Sequence, residues 1–151
     1  MLHWVFKPFT ELSAQELYAI MRLRQEVFIV EQNCPYLDAD GKDLKSYHLM
    51  GYVGNELVAY SRIVKPGVSY DEVSIGRVVS STAHRKKAFG IQLMNESIQR
   101  IENLYGQVLI RIGAQQYLQK FYESFGFVRE GESYMEDGIP HIIMLRTFTS
   151  S

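Results

Sequence analysis

The sequence contains a single cysteine, Cys34, among 151 residues, so no disulfide can form within the chain. Such scarcity suits a reducing compartment, where thiols stay unpaired. The chain also lacks the basic start and short apolar run of a signal peptide, and it has no apolar run long enough to cross a bilayer. We therefore expect a cytoplasmic protein that does not contact a membrane.

Neither sign of charge is in surplus. Sixteen Lys and Arg residues against 17 Asp and Glu residues give a net charge of −1, whereas nucleic-acid-binding proteins usually carry a basic excess. Apolar residues make up 46% and charged residues 22%, which is a globular composition, and we expect one domain over residues 1–151. No metal site is expected, because no metal-ligand spacing relates Cys34 to His3, His48, His84 or His141.

The first third of the chain predicts a strand, a helix and a long loop. The strand is expected at 3–9. Ser13 and Glu16 form a capping box that predicts the start of a helix, and the helical spacing of apolar residues fades near Glu31. Residues 32–46 are polar and rich in turn-forming residues, which predicts a loop.

The remainder predicts three strands, a helix, a strand, a helix and two strands. The expected ranges are 47–53, 56–64, 73–80, 91–105, 108–112, 116–125, 127–130 and 142–145, with turns at Gly54-Asn55 and Asp137-Gly138. The apolar stripe of the first of these helices is Ile91, Met94, Ile98, Ile101 and Tyr105. Strands interleaved with helices predict a mixed sheet covered on its faces.

The loop over 81–90 is the most informative feature. It contains three consecutive cations and the small residues Ala88 and Gly90, and it leads into a helix. A helix N-terminus attracts anions and is a poor place for cations, so three cations there indicate a bound phosphate. A solvated helix start is the simpler alternative. The loop is neither a Walker loop nor a dinucleotide fingerprint, because it lacks the residues those motifs require.

These residues resemble motif A of the GNAT N-acetyltransferase superfamily. In that motif the pattern Arg/Gln-x-x-Gly-x-Gly/Ala follows a central strand. Arg85, Ala88 and Gly90 match it, with alanine in place of the first glycine. Residues 114–127 resemble motif B of that superfamily. Further runs are similar to the ElaA branch of the superfamily, and they lie at 23–28, 30–32, 34–36, 40–41, 75–79 and 137–141.

The resemblance implies an α/β (α+β) fold with flanking helices. Its sheet is a twisted, mostly antiparallel one whose central parallel strand pair, here 73–80 and 108–112, splays apart. It also implies that acetyl-CoA binds in the opening, with the main chain of Val78, Val79 and Ser80 pairing with the pantetheine amides. The pyrophosphate would be held by the run Arg85, Lys86, Lys87, Ala88, Phe89 and Gly90.

The chemistry implied is direct attack of an amine on the thioester in a ternary complex, with no metal. A main-chain N–H near Val79 would polarise the thioester carbonyl. Tyr122 stands at the position of the family's general acid. The base is left open among a water chain and the side chains of Glu31, Asp38, Asp40, Asp43, Glu136 and His141. Of these, Glu31 and His141 lie in the branch-specific stretches.

Two other functions are open at this point. One is a non-catalytic module that binds or senses acyl-CoA. The other is an acyltransferase similar to acyl-homoserine-lactone synthases, which the run at 23–28 resembles. The acceptor would be a small-molecule or peptide amine, and the acidic residues within 38–43 hint that it is cationic. Homodimers are common among the relatives, and the sequence leaves the oligomeric state open.

Overall fold

The structure, a computed structural model, describes residues 2–148 apart from the side chain of Lys86. In that range the strands are β1 (His3–Pro8), β2 (Ser46–Val53), β3 (Glu56–Val64), β4 (Ser74–Ser80), β5 (Ile110–Gln115), β6 (Phe127–Glu136) and β7 (Ile139–Arg146). The α-helices are α1 (Ala14–Arg24), α2 (Phe89–Tyr105) and α3 (Gln119–Glu123).

The strands form two antiparallel sheets, ordered β1-β2-β3-β4 and β5-β7-β6. The sheets meet at one parallel bridge between Val73 and Ile110, where the Arg111 N–H donates to the Val73 carbonyl at 3.1 Å. Beyond that bridge, within residues 2–148, β4 and β5 share no ladder and a cleft opens between them. This confirms the expected mixed, mostly antiparallel sheet with a splayed parallel central pair.

The first helix begins as its capping box predicts. The Glu16 N–H donates to Ser13 Oγ at 3.0 Å, and the Ser13 N–H donates to Glu16 Oε1 at 2.8 Å. The helical segment ends at Glu31, as predicted. Only its first part, up to Arg24, is an α-helix, and a π-helix continues over Gln25–Glu31. Wide turns of this kind are common at functional sites, and this one contributes residues to the cleft.

Helix α2 fixes the start of the cleft by packing along the sheet. Its buried apolar residues are Phe89, Leu93, Met94, Ile98 and Ile101, and burial of each stabilises the fold by roughly 1.5–3 kcal/mol. The predicted stripe is wrong at Ile91, which is 51% exposed and lines the cleft. In the first turn of α2, Gly90 and Ile91 therefore face the opening, whereas Phe89 packs in the core.

The C-terminal third differs most from the predicted ranges. Strand β5 covers Ile110–Gln115 rather than 108–112, and the predicted helix over 116–125 is a 3-10 turn followed by the five residues of α3. Strands β6 and β7 are longer than predicted, because they pair from Phe127 opposite Arg146 up to Glu136 opposite Ile139. The turn at Asp137-Gly138 is confirmed, with φ of 51° and 77° at the two residues.

None of the helices in the part of the chain that the structure describes is long and apolar enough to cross a membrane.

Candidate active site

A cleft of about 1180 Å³ opens between β4 and β5. Its lining comes from both of these strands, from the segment leading into α2, from α3, from the 32–42 loop and from the β6–β7 hairpin. A volume of this size accommodates a ligand larger than most drug-sized molecules. The cleft therefore brings together residues that lie far apart in the sequence.

Strand β4 presents a polar edge to the cleft. Val78, Val79 and Ser80 all line it. On the other edge of the strand, Val79 pairs with Tyr60 and Ser80 pairs with Ala59 of β3. Because β5 has separated from β4 here, the main-chain groups on the cleft side have no strand partner in the described residues, and such an edge is ready to hydrogen-bond an extended ligand.

The segment before α2 has a different form from the predicted one. Residues Thr82–Lys87 make a 3-10 helix, Ala88 follows with φ of 59°, and α2 begins at Phe89. The cations therefore precede α2 by a short turn and do not form its first turn. Arg85, Ala88 and Gly90 line the cleft, Lys87 is exposed, and the Lys86 side chain lies outside the described part.

The N-terminus of α2 has the properties of an anion site. Among the side chains that the structure describes none caps it, and its first turn contains no acidic residue. Its first N–H groups are therefore available to a ligand together with the positive end of the helix dipole. A Cβ built at Gly90 would meet only Phe121 Cζ, at an ordinary 3.8 Å, so packing within the chain does not require glycine there. The glycine leaves open space on the cleft side of this turn.

Glu31 and Arg85 contact each other. Arg85 Nη1 donates to Glu31 Oε2 at 2.7 Å, and Arg85 Nη2 donates to Oε1 at 2.6 Å. A guanidinium binds carboxylate and phosphate with the same two-pronged geometry. The Glu31 carboxylate is thus occupied by the cation that would face a phosphate, which makes it a poor candidate for a base.

Tyr122 lies in α3 with its side chain 7% exposed, and it lines the cleft. Its ring packs edge-on against Phe121 and Phe127, with ring centroids 5.2 and 6.1 Å away. Burial raises the pKa of the Tyr122 phenol above its ordinary value, so the hydroxyl stays protonated at neutral pH. The residue is therefore both part of the core and a lining residue of the cleft.

His141 lies on β7 and lines the same cleft. Its Nδ1 is 2.8 Å from the Ile139 carbonyl oxygen, which can only accept, so Nδ1 carries the proton in this contact. Nε2 is then the basic nitrogen of the neutral ring, and it lies 3.5 Å from Glu136 Oε2. The Ile139 carbonyl thus orients the ring, and Glu136 lies where it would pair with a proton on Nε2.

The acidic residues of the 38–43 loop are engaged by arginines, and of the three only Asp40 lines the cleft. Asp38, Asp40 and Asp43 pair with three arginines, Arg24, Arg62 and Arg77. Arg24 is fully buried between Asp38 and Asp43, at 2.7 Å from each carboxylate. The loop therefore gives no support to a cationic acceptor, since three arginine charges balance its three carboxylates.

This network makes the fold sensitive to acid. Burial alone would raise the pKa of Asp40, but the hydrogen bonds and charge of Arg62 outweigh it and hold the pKa at about 2, below the ordinary 3.8. The stabilisation is complete above the unfolded-state pKa and is lost as the pH falls through about 2. Since a quarter of the side chain is exposed, we expect about 1 kcal/mol from this carboxylate.

The measurement is thermal unfolding of the wild type and Asp40→Asn between pH 7 and pH 2. The difference in unfolding free energy should be constant above pH 5 and shrink below pH 4. The comparison with the variant is needed because burial lowers the pKa of His48, whose protonation also costs stability below pH 6.5. A difference that does not change with pH would contradict the assignment.

Sequence reasoning missed a pair of tyrosines in the cleft. A Cβ built at Gly113 would lie 2.8 Å from the Tyr134 hydroxyl and 3.1 Å from the Tyr70 hydroxyl. Both phenols therefore converge over β5 where glycine leaves room, and all three residues line the cleft. The available signal was the glycine itself, because a glycine inside a strand often marks a close approach.

The chain is similar to proteins of known family and fold. A family model described as an acetyltransferase (GNAT) domain matches residues 13–148. Protein ElaA of Escherichia coli is 46% identical over 148 residues, which are 97% of each chain. Its crystal structure superposes with a TM-score of 0.90 over 97% of this chain and 99% of that one.

Two further crystal structures share the fold. An acyl-CoA N-acyltransferase from Pseudomonas aeruginosa is 44% identical, with a TM-score of 0.92 over 97% of this chain and 100% of that one. An aminoglycoside 6'-N-acetyltransferase complexed with coenzyme A is only 15% identical, with a TM-score of 0.71 over 97% and 98% of the two chains. The family match over most of the sequence, with relatives of such high identity, establishes that the chain is an acyltransferase of the GNAT family, in the branch of ElaA.

Proposed function

We propose that this protein transfers the acetyl group of acetyl-CoA to a small-molecule or peptide amine by direct attack in a ternary complex. The observation that carries the proposal is that one cleft is lined by the uncapped start of α2, the open edge of β4 and the buried phenol Tyr122. These features offer in turn an anion site, an amide-binding edge and a proton donor. An acyl-CoA needs all three.

The diphosphate of the donor would bind at Ala88–Gly90. Each contact of an anion with a helix N-terminus contributes roughly 0.3–1 kcal/mol, and several N–H groups of α2 can contribute together. Arg85 would turn from the Glu31 carboxylate to the phosphates, which accept the same fork of two hydrogen bonds. Lys87, which is exposed beside it, adds positive charge to this mouth of the cleft.

The pantetheine arm would extend along β4. Its amides would pair with main-chain groups at Val78, Val79 and Ser80 as an added strand does at a sheet edge. This pairing would bring the thioester carbonyl to a main-chain N–H near Val79, which stabilises the negative charge that develops on oxygen during attack. The enzyme's main contribution is then to hold donor and amine in line.

Tyr122 would give its proton to the departing thiolate of CoA. The phenol is protonated at neutral pH, and it can donate that proton as negative charge develops on the departing sulfur. The reaction then balances without a covalent enzyme intermediate, because the amine nitrogen gains the acetyl group, the sulfur gains the phenolic proton, and the amine's own proton goes to a base. The base then passes this proton through solvent to the Tyr122 phenolate, which becomes a phenol again.

We assign the base to His141 rather than Glu31. The Glu31 carboxylate is held by Arg85, whereas the His141 ring has its Nδ1 proton fixed on a carbonyl and leaves Nε2 as a proton acceptor. Glu136 at 3.5 Å from Nε2 would stabilise the imidazolium once it forms. The converging hydroxyls of Tyr70 and Tyr134 would make a polar wall for the amine.

His141→Asn tests the base. The asparagine amide can still donate to the Ile139 carbonyl but offers no ring nitrogen, and we expect kcat/KM for the amine to fall about 100-fold at neutral pH. The loss should shrink as the pH rises, because more of the amine is then already deprotonated. His3→Asn on β1 is the matched control. An equal loss at every pH would contradict the role of His141 as base.

The proposed function is tested by thiol release from acetyl-CoA with a panel of primary amines. Turnover with any amine supports the proposal. Saturable binding of CoA without turnover would instead indicate a non-catalytic acyl-CoA module. Consumption of S-adenosylmethionine with an acyl donor would indicate the synthase chemistry. The run at 23–28 has a structural role that does not depend on that chemistry, because Leu23 and Val27 are core residues and Arg24 belongs to the buried ion network.

A further inference from the structure

Strand β4 contains an extra residue at the point where it leaves β5. Tyr60 of β3 pairs with Val79, but Arg62 pairs with Gly76, so the single residue between the two β3 positions faces two residues of β4, Arg77 and Val78. Arg77 takes up the irregularity with φ of 51°. This is a β-bulge whose first residue adopts the left-handed conformation usually found at glycine.

The position of this bulge matters for the cleft. It lies after the bridge that joins Val73 to Ile110, and its second residue, Val78, begins the Val78–Ser80 stretch that lines the cleft. A bulge bends its strand and increases the local twist, so it re-aims the residues that follow. The main-chain groups that would meet the thioester are therefore aimed by the conformation of Arg77.

The side chain of Arg77 fixes that conformation from outside the strand. Its Nε donates to Asp38 Oδ1 at 2.8 Å, and its Nη2 donates to the Asp38 carbonyl at 3.0 Å and to Asp40 Oδ2 at 3.3 Å. The guanidinium also lies over the ring of Tyr36, at 5.7 Å from its centroid. A residue disfavoured in its backbone conformation is thus held by three hydrogen bonds to one loop.

Asp38 is itself immobilised, which separates this contact from an ordinary surface ion pair. Arg24 donates to Asp38 Oδ2 at 2.7 Å and to its carbonyl at 2.9 Å, and the Asp38 side chain is only 7% exposed. The 20% exposure of the Arg77 side chain is also low. Exposed pairs contribute little because both partners move, whereas here the acceptor is fixed in the core.

We infer that Arg77 is a positioning residue, which holds the β4 bulge against Asp38 and so keeps the open edge of β4 aligned with the acetyl donor. This role rests on the proposed function. It also links the 32–42 loop, which lines the cleft, to the strand that would bind the thioester. Arg77 acts through the main chain of its neighbours and need not touch the substrates.

The test compares Arg77→Ala, Arg77→Gly and, as a matched control, Arg22→Ala, which removes an exposed ion pair on α1 away from the cleft. Alanine loses the side-chain contacts but is still disfavoured at a positive φ. Glycine also loses the contacts, but it adopts the positive φ without strain. We expect Arg77→Ala to lower kcat/KM for acetyl-CoA between about tenfold and 100-fold, and Arg77→Gly to lose less. Arg22→Ala should equal the wild type.

Binding of 3'-phosphoadenosine 5'-diphosphate, the nucleotide half of CoA, is measured in parallel by titration. Its site at α2 does not depend on the bulge, so its affinity should be unchanged in both Arg77 variants, which also reports that they are folded. Full activity of Arg77→Ala would overturn the inference. So would equal losses of activity and nucleotide affinity, which indicate a general structural role. A wild type that neither binds CoA nor turns over acetyl-CoA would instead overturn the proposed function.

Discussion

Replacing Tyr122 with phenylalanine is expected to lower kcat by about 100- to 10,000-fold, because the thiolate of CoA then leaves without a positioned proton. The ring is buried against Phe121 and Phe127, and phenylalanine keeps those contacts. Only the hydroxyl is removed, so stability and the affinity for CoA should stay close to those of the wild type. The measurement is steady-state thiol release together with a CoA titration.

Tyr117→Phe is the matched control, because this neighbouring tyrosine also lines the cleft but is 72% exposed. It should keep kcat within about twofold. The acid role of Tyr122 is excluded if its phenylalanine variant turns over like the wild type. The acid role is also excluded if the affinity for CoA falls as much as kcat does. The Tyr122 hydroxyl would then be a binding group.

Replacing Arg24 with methionine is expected to have the largest effect on stability. Methionine fills much of the space of the arginine but leaves the carboxylates of Asp38 and Asp43 buried without their shared partner. Breaking a buried ion pair in this way costs about 3–5 kcal/mol. For a chain of this length the melting temperature should fall by about 10 °C. Chemical denaturation and calorimetry measure both quantities.

Two comparisons isolate the charge effect. Arg22→Met, on the exposed face of the same helix, should change stability by less than about 0.5 kcal/mol. Adding Asp43→Asn to Arg24→Met should recover part of the loss, because one uncompensated charge is removed. Equal stability of Arg24→Met and wild type would show that the buried network does not hold the 38–43 loop.

The local signals in the sequence predicted the structure well where neighbouring residues decide it. The capping box at Ser13 and Glu16, the hairpin turn at Gly54-Asn55 and the turn at Asp137-Gly138 all depend on contacts over a few residues. The segment proposed to bind an anion was also recognisable in the sequence, because small residues and cations are clustered there. Only its detailed form, a 3-10 turn before the helix, was not.

What the sequence could not predict depends on distant contacts. The carboxylate of Asp38 meets Arg24 and Arg77, which are 14 and 39 residues away, so the loop looked solvated and open to a cation. The bulge at Arg77 arises from pairing between β3 and β4, and its left-handed residue is an arginine, which the sequence alone does not mark as such. The pairing of Glu31 with Arg85 spans 54 residues, and it makes Glu31 a poor candidate for the base.

The central claim is that coenzyme A binds between β4 and the start of α2. Titration of the isotope-labelled protein with coenzyme A, followed by the backbone amide resonances, tests this most directly. We expect saturable shifts that are largest for Arg85–Gly90 and Val78–Ser80, the two stretches that meet at the cleft. Absence of saturable shifts, or shifts confined to residues away from these two stretches, would contradict the account.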